Sequence, residues 1–249
     1  MKNSYTALVL ILCFGHISTV VASVVQSGSI DDFENGTTQS WVKGIDPTKA
    51  AILPPINLAN ADESNRYLEV QSLGKNIDPN IDRDAHSRLV FFNESENWAG
   101  DYTGITSITA DMRATSATED YLYMRLAIFD EVLSGESQSR YVSSAPQLLE
   151  TNNDDWLTLT FSLVPEDLTR FRGEKEADEV LKNVSQLRFL SSQNDAKAWD
   201  VDKIAATLNI DNITAVSVSA VPLPGAVWLM ISGLASLIGF PAIKRKRRL

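Results

Sequence analysis

The stretch YLYMRLAI, residues 121–128, decides the fold class of this chain. Apolar side chains occupy every second position, namely Leu122, Met124, Leu126 and Ile128. The positions between them hold Tyr121, Tyr123, Arg125 and Ala127. A period of two residues is that of a β-strand with one face in a hydrophobic core. The stretch therefore predicts a strand that buries one face and presents rings and charge on the other.

The same alternation recurs along the chain and predicts an all-β fold. Residues 108–113 and 156–163 alternate in this way over comparable lengths. Shorter candidate strands cover residues 30–34, 67–73, 88–92, 140–143, 184–190 and 207–216. Residues 165–170 and 176–182 predict short helical turns between strands. About nine strands with few helices, separated by turn-rich spacers, indicate a β-sandwich.

Composition excludes several classes of protein and of catalytic site. The chain has 249 residues, 44% of them hydrophobic and 22% charged, which is typical of a globular protein. Its single cysteine, Cys13, and one of its two histidines, His16, lie near the amino terminus, within a predicted signal peptide. Removal of that segment leaves His86 as the only histidine and no thiol. Disulfides, cysteine nucleophiles and cysteine-ligated zinc are then excluded.

The charge distribution argues against nucleic acid as a partner. The net charge is −10, but Lys2 and the five basic residues at 244–248 lie at the two ends. Without them, 16 Lys and Arg face 32 Asp and Glu, so the body carries −16. Such a body repels phosphate backbones, whose binding requires neutralisation by Lys and Arg. The acidity instead favours divalent cations and neutral or cationic surfaces.

The amino-terminal segment predicts export. Lys2 precedes the apolar run at residues 7–15, and Val20-Val21-Ala22 places small residues at a plausible cleavage site. We therefore assign residues 1–22 to a signal peptide. Residues 23–220 then form the exported body.

The carboxyl-terminal segment predicts a membrane anchor. Residues 225–243 form a run of nineteen without a charge, which as a helix would span about 28 Å, close to the hydrocarbon thickness of a bilayer. The basic tail KRKRR at 244–248 follows at once and is expected to stay cytoplasmic. The body would then lie beyond the inner membrane, attached at first to that membrane.

A proline motif precedes this anchor. Two prolines keep Val221, Pro222, Leu223 and Pro224 extended, because neither fits inside a helix. The order of proline motif, apolar helix and basic end over residues 221–249 resembles the PEP-CTERM family of bacterial sorting signals, in its VPLPA-type variant. The resemblance implies processing by an exosortase-like enzyme and delivery to the cell surface or extracellular matrix. Leu223 and Gly225 depart from the family patterns.

Three stretches of the body carry a second resemblance. They are IDDFENG at 30–36, WAGDYTG at 98–104 leading into 108–113, and NIDNI at 209–213. Together they resemble jelly-roll carbohydrate-binding modules and the related laminin-B-like domains. The resemblance implies a jelly-roll sandwich and polysaccharide as a partner.

The same resemblance implies a structural calcium ion. It would join the first strand to the last through Glu34 and Asp211, with Asp32 as a third ligand. Calcium binds six to eight oxygens, and a calcium bridge would substitute for the absent disulfides. The alternative is that these carboxylates only solvate a strand end.

Sugar binding requires rings and hydrogen-bonding groups on a sheet face that points away from the core. The residues in the outward phase of their strands are Tyr123, Arg125, Asp111, Arg113 and Arg188. We predict that they share one such face, although Tyr and Arg also form ordinary cross-strand pairs. The tryptophans at 41, 98, 156 and 199 are expected at the edge of the core.

No catalytic motif is present in the sequence. The Glu-x-Asp-x-x-Glu, Gly-x-Ser-x-Gly, HExxH and P-loop patterns are absent. Asp82, Asp84 and His86 alternate in a loop and are the one small candidate group. The sequence therefore favours a non-catalytic exported protein that binds or structures exopolysaccharide. A polysaccharide-degrading jelly-roll enzyme and a purely structural, adhesin-like matrix protein are the alternatives.

Overall fold

The computed structural model describes residues 23–44, 56–60, 65–75, 86–130, 137–193 and 201–217. The chain divides into one compact unit, Met1–Ser217, and a second, Val218–Leu249. The predicted signal peptide, proline motif, membrane helix and basic tail all lie outside the described residues. None of the helices within those ranges has the length and hydrophobicity needed to cross a bilayer.

The described residues form thirteen strands in two antiparallel sheets. In chain order the strands are β1 Ile30–Asp31, β2 Val42–Lys43, β3 Asn57–Asn60, β4 Arg66–Leu73, β5 Val90–Asn93, β6 Ile105–Ala117, β7 Tyr121–Asp130, β8 Arg140–Ser143, β9 Gln147–Glu150, β10 Leu157–Ser162, β11 Leu168–Arg172, β12 Val184–Ser191 and β13 Ala205–Ser217. The six-stranded sheet has the order β10-β6-β13-β4-β3, with β1 paired to β13. The seven-stranded sheet has the order β11-β8-β7-β12-β5-β2, with β9 paired to β7.

The predicted all-β sandwich is confirmed by these two sheets and by the core between them. Alternate residues of β6 and β7 are fully buried in one cluster, among them Ile108, Met112, Leu122 and Met124. Burial of each large apolar side chain is worth about 1.5–3 kcal/mol, so these two alternating strands anchor the core. The phase expected from the sequence is therefore the phase that packs inward.

The predicted number of about nine strands was too low. The strands that the alternation did not reveal are β2, β3, β9 and β11, which are only two to five residues long. Residues 165–170 were wrongly expected to be helical throughout, because a 3₁₀ turn at Pro165–Asp167 passes directly into β11. The second predicted turn is confirmed as helix α1, Ala177–Leu181, with a capping box between Glu176 and Glu179.

A second apolar cluster covers part of the seven-stranded sheet on the side away from the main core. It contains Val90, Ala127, Phe129, Val142, Leu190 and Val201. Ala127 and Phe129 occupy the outward phase of β7, so that face is buried at its carboxyl-terminal end. Only the amino-terminal end of β7, at Tyr121 and Tyr123, is partly exposed on this side.

Candidate functional site

The five residues predicted to share a sugar-binding face lie in two different sheets. Asp111 and Arg113 belong to β6 of the six-stranded sheet, whereas Tyr123, Arg125 and Arg188 belong to the seven-stranded sheet. The prediction of one shared face was therefore wrong. Alternation fixes the phase of a side chain within its strand, but it does not reveal that the chain changes sheets between β6 and β7.

Arg125 is a structural residue in this arrangement. Its side chain is only 2% exposed. The guanidinium donates to the backbone carbonyls of Ser192 at 2.9 Å, Ser144 at 2.9 Å and Gln193 at 3.0 Å, and also to that of Ser143. Carbonyls at strand ends need such partners when water cannot reach them. Arg125 thus joins the ends of β8 and β12 and has no accessible surface for a sugar.

Arg188 is likewise buried. Its guanidinium carbon lies 4.4 Å from the ring centroid of Phe129 and 5.6 Å from that of Phe92. Cation–π contacts of this kind are strongest where the cation is desolvated. The side chain therefore belongs to the packing of the seven-stranded sheet.

Tyr123 lines a pocket at the amino-terminal end of β7. Tyr121 lies two residues away on the same face of the strand, and the two rings border a cavity of about 400 Å³. We name this cavity the tyrosine pocket. Its polar side chains come from neighbouring strand ends and loops: Lys75, Glu119, Ser191, Gln193, Asp202 and Lys203.

The dimensions and chemistry of the tyrosine pocket suit a small polar ligand. Binding pockets typically measure about 300–1,000 Å³ and combine aromatic walls with a few polar groups. The Gln193 backbone N–H donates to Asp202 Oδ2 at 3.0 Å, which fixes the position of that carboxylate at the wall. Tyr121 is 45% exposed, so its ring is open to a ligand from solvent.

A second cavity of about 410 Å³ lies between the edges of the two sheets. Its wall is rich in hydroxyl groups, from Thr106, Ser107, Ser143, Ser144, Thr160 and Ser162. The single ring at this cavity, Phe161, is 1% exposed and belongs to the core. The cavity therefore offers hydrogen bonds without an aromatic surface for a sugar ring.

Arg113 forms an aromatic cluster on the six-stranded sheet. Its guanidinium carbon lies 4.7 Å from the ring centroid of Trp156 and 5.2 Å from that of Tyr67. Nη2 donates to the Tyr67 hydroxyl at 3.2 Å, and Nη1 to the Asp154 carbonyl at 3.4 Å. The charged group of Arg113 is thus engaged by its own neighbours.

Asp111 stands directly opposite Asp211 in the pairing of β6 with β13. Asp111 accepts hydrogen bonds from Thr158 and, at 2.9 Å, from the Asn212 amide. The pKa of Asp211 is raised to about 6, first by burial and then by the carboxylates of Asp111, Glu34 and Asp32, against the opposing effect of the Asn212 N–H. The sheet surface here concentrates negative charge.

The three predicted calcium ligands are therefore neighbours, since Asp32 and Glu34 act electrostatically on Asp211. Carboxylate oxygens are the donors that calcium prefers. Among the described residues, however, no group of three or more His, Cys, Asp or Glu is arranged so that it could hold a metal ion. The carboxylates have the right chemistry without a preformed coordination shell, and calcium binding stays a prediction.

Sequence reasoning missed a buried network around Asp31. Oδ2 of this carboxylate accepts hydrogen bonds from the indole nitrogens of Trp41 at 2.7 Å and Trp98 at 2.6 Å. Both tryptophans lie inside the core instead of at its edge, whereas Trp156 is half-buried on the sheet surface. Trp199, Asp82 and Asp84 lie outside the described residues.

No family profile and no curated protein matches the chain. Its fold is similar to that of a family 11 carbohydrate-binding module from Clostridium thermocellum, solved with a β-1,3-1,4-linked tetrasaccharide, at 12% identity and a TM-score of 0.46 over 77% of this chain and 96% of that one.

Two further solved structures are similar at the same level. One is a family 28 carbohydrate-binding module specific for non-crystalline cellulose, with 16% identity, a TM-score of 0.44, and coverage of 75% of this chain and 92% of that one. The other is an exo-β-agarase, with 13% identity, a TM-score of 0.43, and coverage of 76% of this chain and 25% of that one.

Proposed function

We propose that this chain is a non-catalytic polysaccharide-binding protein and that the tyrosine pocket is its binding site. The observation that carries the proposal is the placement of Tyr121 and Tyr123 side by side at a polar cavity of about 400 Å³. Tyrosine combines an apolar ring face with a hydroxyl that hydrogen-bonds, and a sugar offers apolar C–H faces and hydroxyls in return. Ser191 and Gln193 supply further hydrogen-bonding groups at the wall.

Binding to polysaccharides tests the proposal. The full chain is purified in a polyoxyethylene detergent, because alkyl glycoside detergents carry sugars that compete for the site. Tyr121→Ala and Tyr123→Ala are each expected to weaken binding about tenfold or more, since each removes a ring from the pocket. Leu157→Ala is the matched control, because Leu157 is a similarly exposed side chain, at 47%, in the other sheet. Full affinity in both tyrosine variants would contradict the proposal.

The proposed function includes export and sorting. The precursor would be anchored in the inner membrane through residues 225–243, processed by an exosortase-like enzyme at the motif Val221 to Pro224, and released to the cell surface or extracellular matrix. The order of motif, apolar run and basic tail supports this route. In cells with such an enzyme, Pro222→Ala with Pro224→Ala is expected to leave the uncut precursor in the membrane fraction. Normal processing of that variant would refute the sorting step.

One observation favours the competing function, a polysaccharide-degrading enzyme. Glycosidases use two carboxyl groups, one of them with a raised pKa. Asp111 and Asp211 face each other, and the pKa of Asp211 is raised to about 6. Release of reducing ends from a bound polysaccharide, abolished by Asp111→Asn, would establish this alternative. An adhesin-like matrix protein would show neither binding nor cleavage.

A further inference from the structure

We propose that the saccharide in the tyrosine pocket is anionic, with its carboxylate or sulfate group bound by Lys75 and Lys203. This inference rests on the proposed function, because it names the class of saccharide that the same pocket takes.

The topology brings the two lysines to one place. Leu73 of β4 pairs with Ala205 of β13, and each lysine lies two residues beyond its strand's member of that pair. Lys75 therefore follows the end of β4, and Lys203 precedes the start of the antiparallel β13. Both side chains line the tyrosine pocket.

Neither ammonium group is neutralised within the part of the chain that the structure describes. Lys75 and Lys203 take part in no hydrogen bond or ion pair there. Two other described lysines are paired: Lys175 Nζ lies 2.9 Å from Asp130, and Lys182 Nζ lies 3.8 Å from Asp178. Both lysines of the pocket, Lys75 and Lys203, are exposed, so their ammonium groups can reach an anion that enters the pocket from solvent.

Two carboxylates, Asp202 and Glu119, also line the pocket, so its formal charge is zero, but among the described residues neither forms an ion pair with Lys75 or Lys203. Asp202 instead accepts the backbone N–H of Gln193 at 3.0 Å. Two ammonium groups at one pocket repel each other, and an anion bound between them would offset that repulsion. A ligand that carries a negative group next to a sugar ring would satisfy the lysines and the tyrosines together.

The chemistry of lysine determines which anionic groups the pocket can distinguish. A lysine ammonium is a compact point charge with rotatable donors, whereas an arginine presents a planar fork that selects flat carboxylates. Two lysines therefore accept a carboxylate or a sulfate. The shared requirement is a saccharide with a fixed negative charge.

Matched pairs of polysaccharides test the inference on the full chain in the polyoxyethylene detergent. Oligogalacturonate is compared with its methyl ester, and a sulfated galactan with the same galactan after desulfation. We expect the charged member of at least one pair to bind about tenfold more tightly, the factor expected for hydrogen bonds to a charged group. The pair that shows the difference identifies the source of the negative charge.

The double variant Lys75→Gln, Lys203→Gln is expected to lose this preference, so that the charged and the neutral member of each pair bind with equal affinity. Lys182→Gln is the control, because Lys182 is an exposed lysine that directly follows α1 and does not line the pocket. Equal affinity of the wild type for both members of each pair, or a preference that survives in the double variant, would overturn the inference while the tyrosine-dependent binding stands. Polysaccharide binding that does not depend on Tyr121 and Tyr123 would instead contradict the proposed function itself.

Discussion

The indole nitrogen of Trp98 donates a hydrogen bond of 2.6 Å to Oδ2 of Asp31, although 67 residues separate the two in the chain. Trp41 donates to the same oxygen, so one carboxylate satisfies two indoles inside the core. This network attaches the short strand β1 to the seven-stranded sheet through the ring contact of Trp41 with Phe91. It therefore links the first strand of the described body to both layers of the sandwich.

Asp31→Ala is expected to destabilise the fold by about 3 kcal/mol, because it leaves two buried N–H donors without an acceptor. Asp31→Asn keeps an acceptor oxygen at the same place and should lose less than half as much. Urea unfolding, followed by tryptophan fluorescence, measures both. Equal losses in the two variants would mean that the hydrogen bonds contribute little.

The raised pKa of Asp211 predicts that the free energy of unfolding depends on pH. Its pKa in the folded state is raised to about 6 from 3.8, by burial first and then by neighbouring carboxylates. The folded state thus binds the proton more tightly than the unfolded state. This contribution is complete below pH 3.8 and is lost as the pH rises through about 6.

Asp211→Asn should therefore flatten the stability profile between about pH 4 and pH 6. The expected difference from the wild type is about 1–2 kcal/mol, less than two pKa units would give without solvent screening. Chemical denaturation at a series of pH values measures it, with the exposed Asp178→Asn as the control. A profile in the Asp211 variant as steep as that of the wild type would contradict this assignment.

Calcium would reverse the direction of this effect. If the ion joins Asp32, Glu34 and Asp211, it must bind the ionised carboxylates, so stability at pH 7 should rise with added CaCl₂. A site of extracellular-module affinity would add about 1.5–3 kcal/mol at 10 mM calcium. Thermal unfolding of the wild type and Glu34→Gln, each against NaCl of equal ionic strength, measures it. No calcium-specific rise in the wild type would remove the predicted site.

Much of the fold could be predicted from the sequence because long strands carry a two-residue period. β6, β7 and β10 have one face in the core, and their alternation revealed both the strand and its buried phase. β2 and β9 are too short to show a period, and they exist only because longer strands offer them a partner edge.

The candidate site was harder to predict, because it depends on which strands become neighbours. Tyr123 was identified from its phase alone, and Tyr121 shares that phase. Lys75 and Lys203 gave no sequence signal, since they meet only through the pairing of β4 with β13. Arg125 had the expected phase, but local pattern could not reveal the four carbonyls that enclose it.

Arg125 is expected to matter for stability and not for ligand contact. Arg125→Ala should destabilise the protein by about 3 kcal/mol, because it removes a charged donor from four backbone carbonyls, two of them in buried hydrogen bonds. Arg172→Ala, at an exposed position on β11, should change little. Thermal unfolding measures both effects. Equal stability of Arg125→Ala and the wild type would contradict this structural role.

Variants of the aromatic cluster, Arg113, Trp156 and Tyr67, test which of the two sheets binds the polysaccharide. Arg113→Lys keeps the charge but loses the planar stacking on Trp156 and Tyr67, so it should destabilise the fold by about 1 kcal/mol. Trp156→Ala should destabilise it further, because Trp156 also packs edge to face on Tyr67 with ring centroids 5.4 Å apart. Neither residue lines the tyrosine pocket. The folded fraction of each variant should therefore bind polysaccharide as tightly as the wild type. Weakened binding in Trp156→Ala, together with full binding in Tyr121→Ala and Tyr123→Ala, would place the polysaccharide on the six-stranded sheet instead.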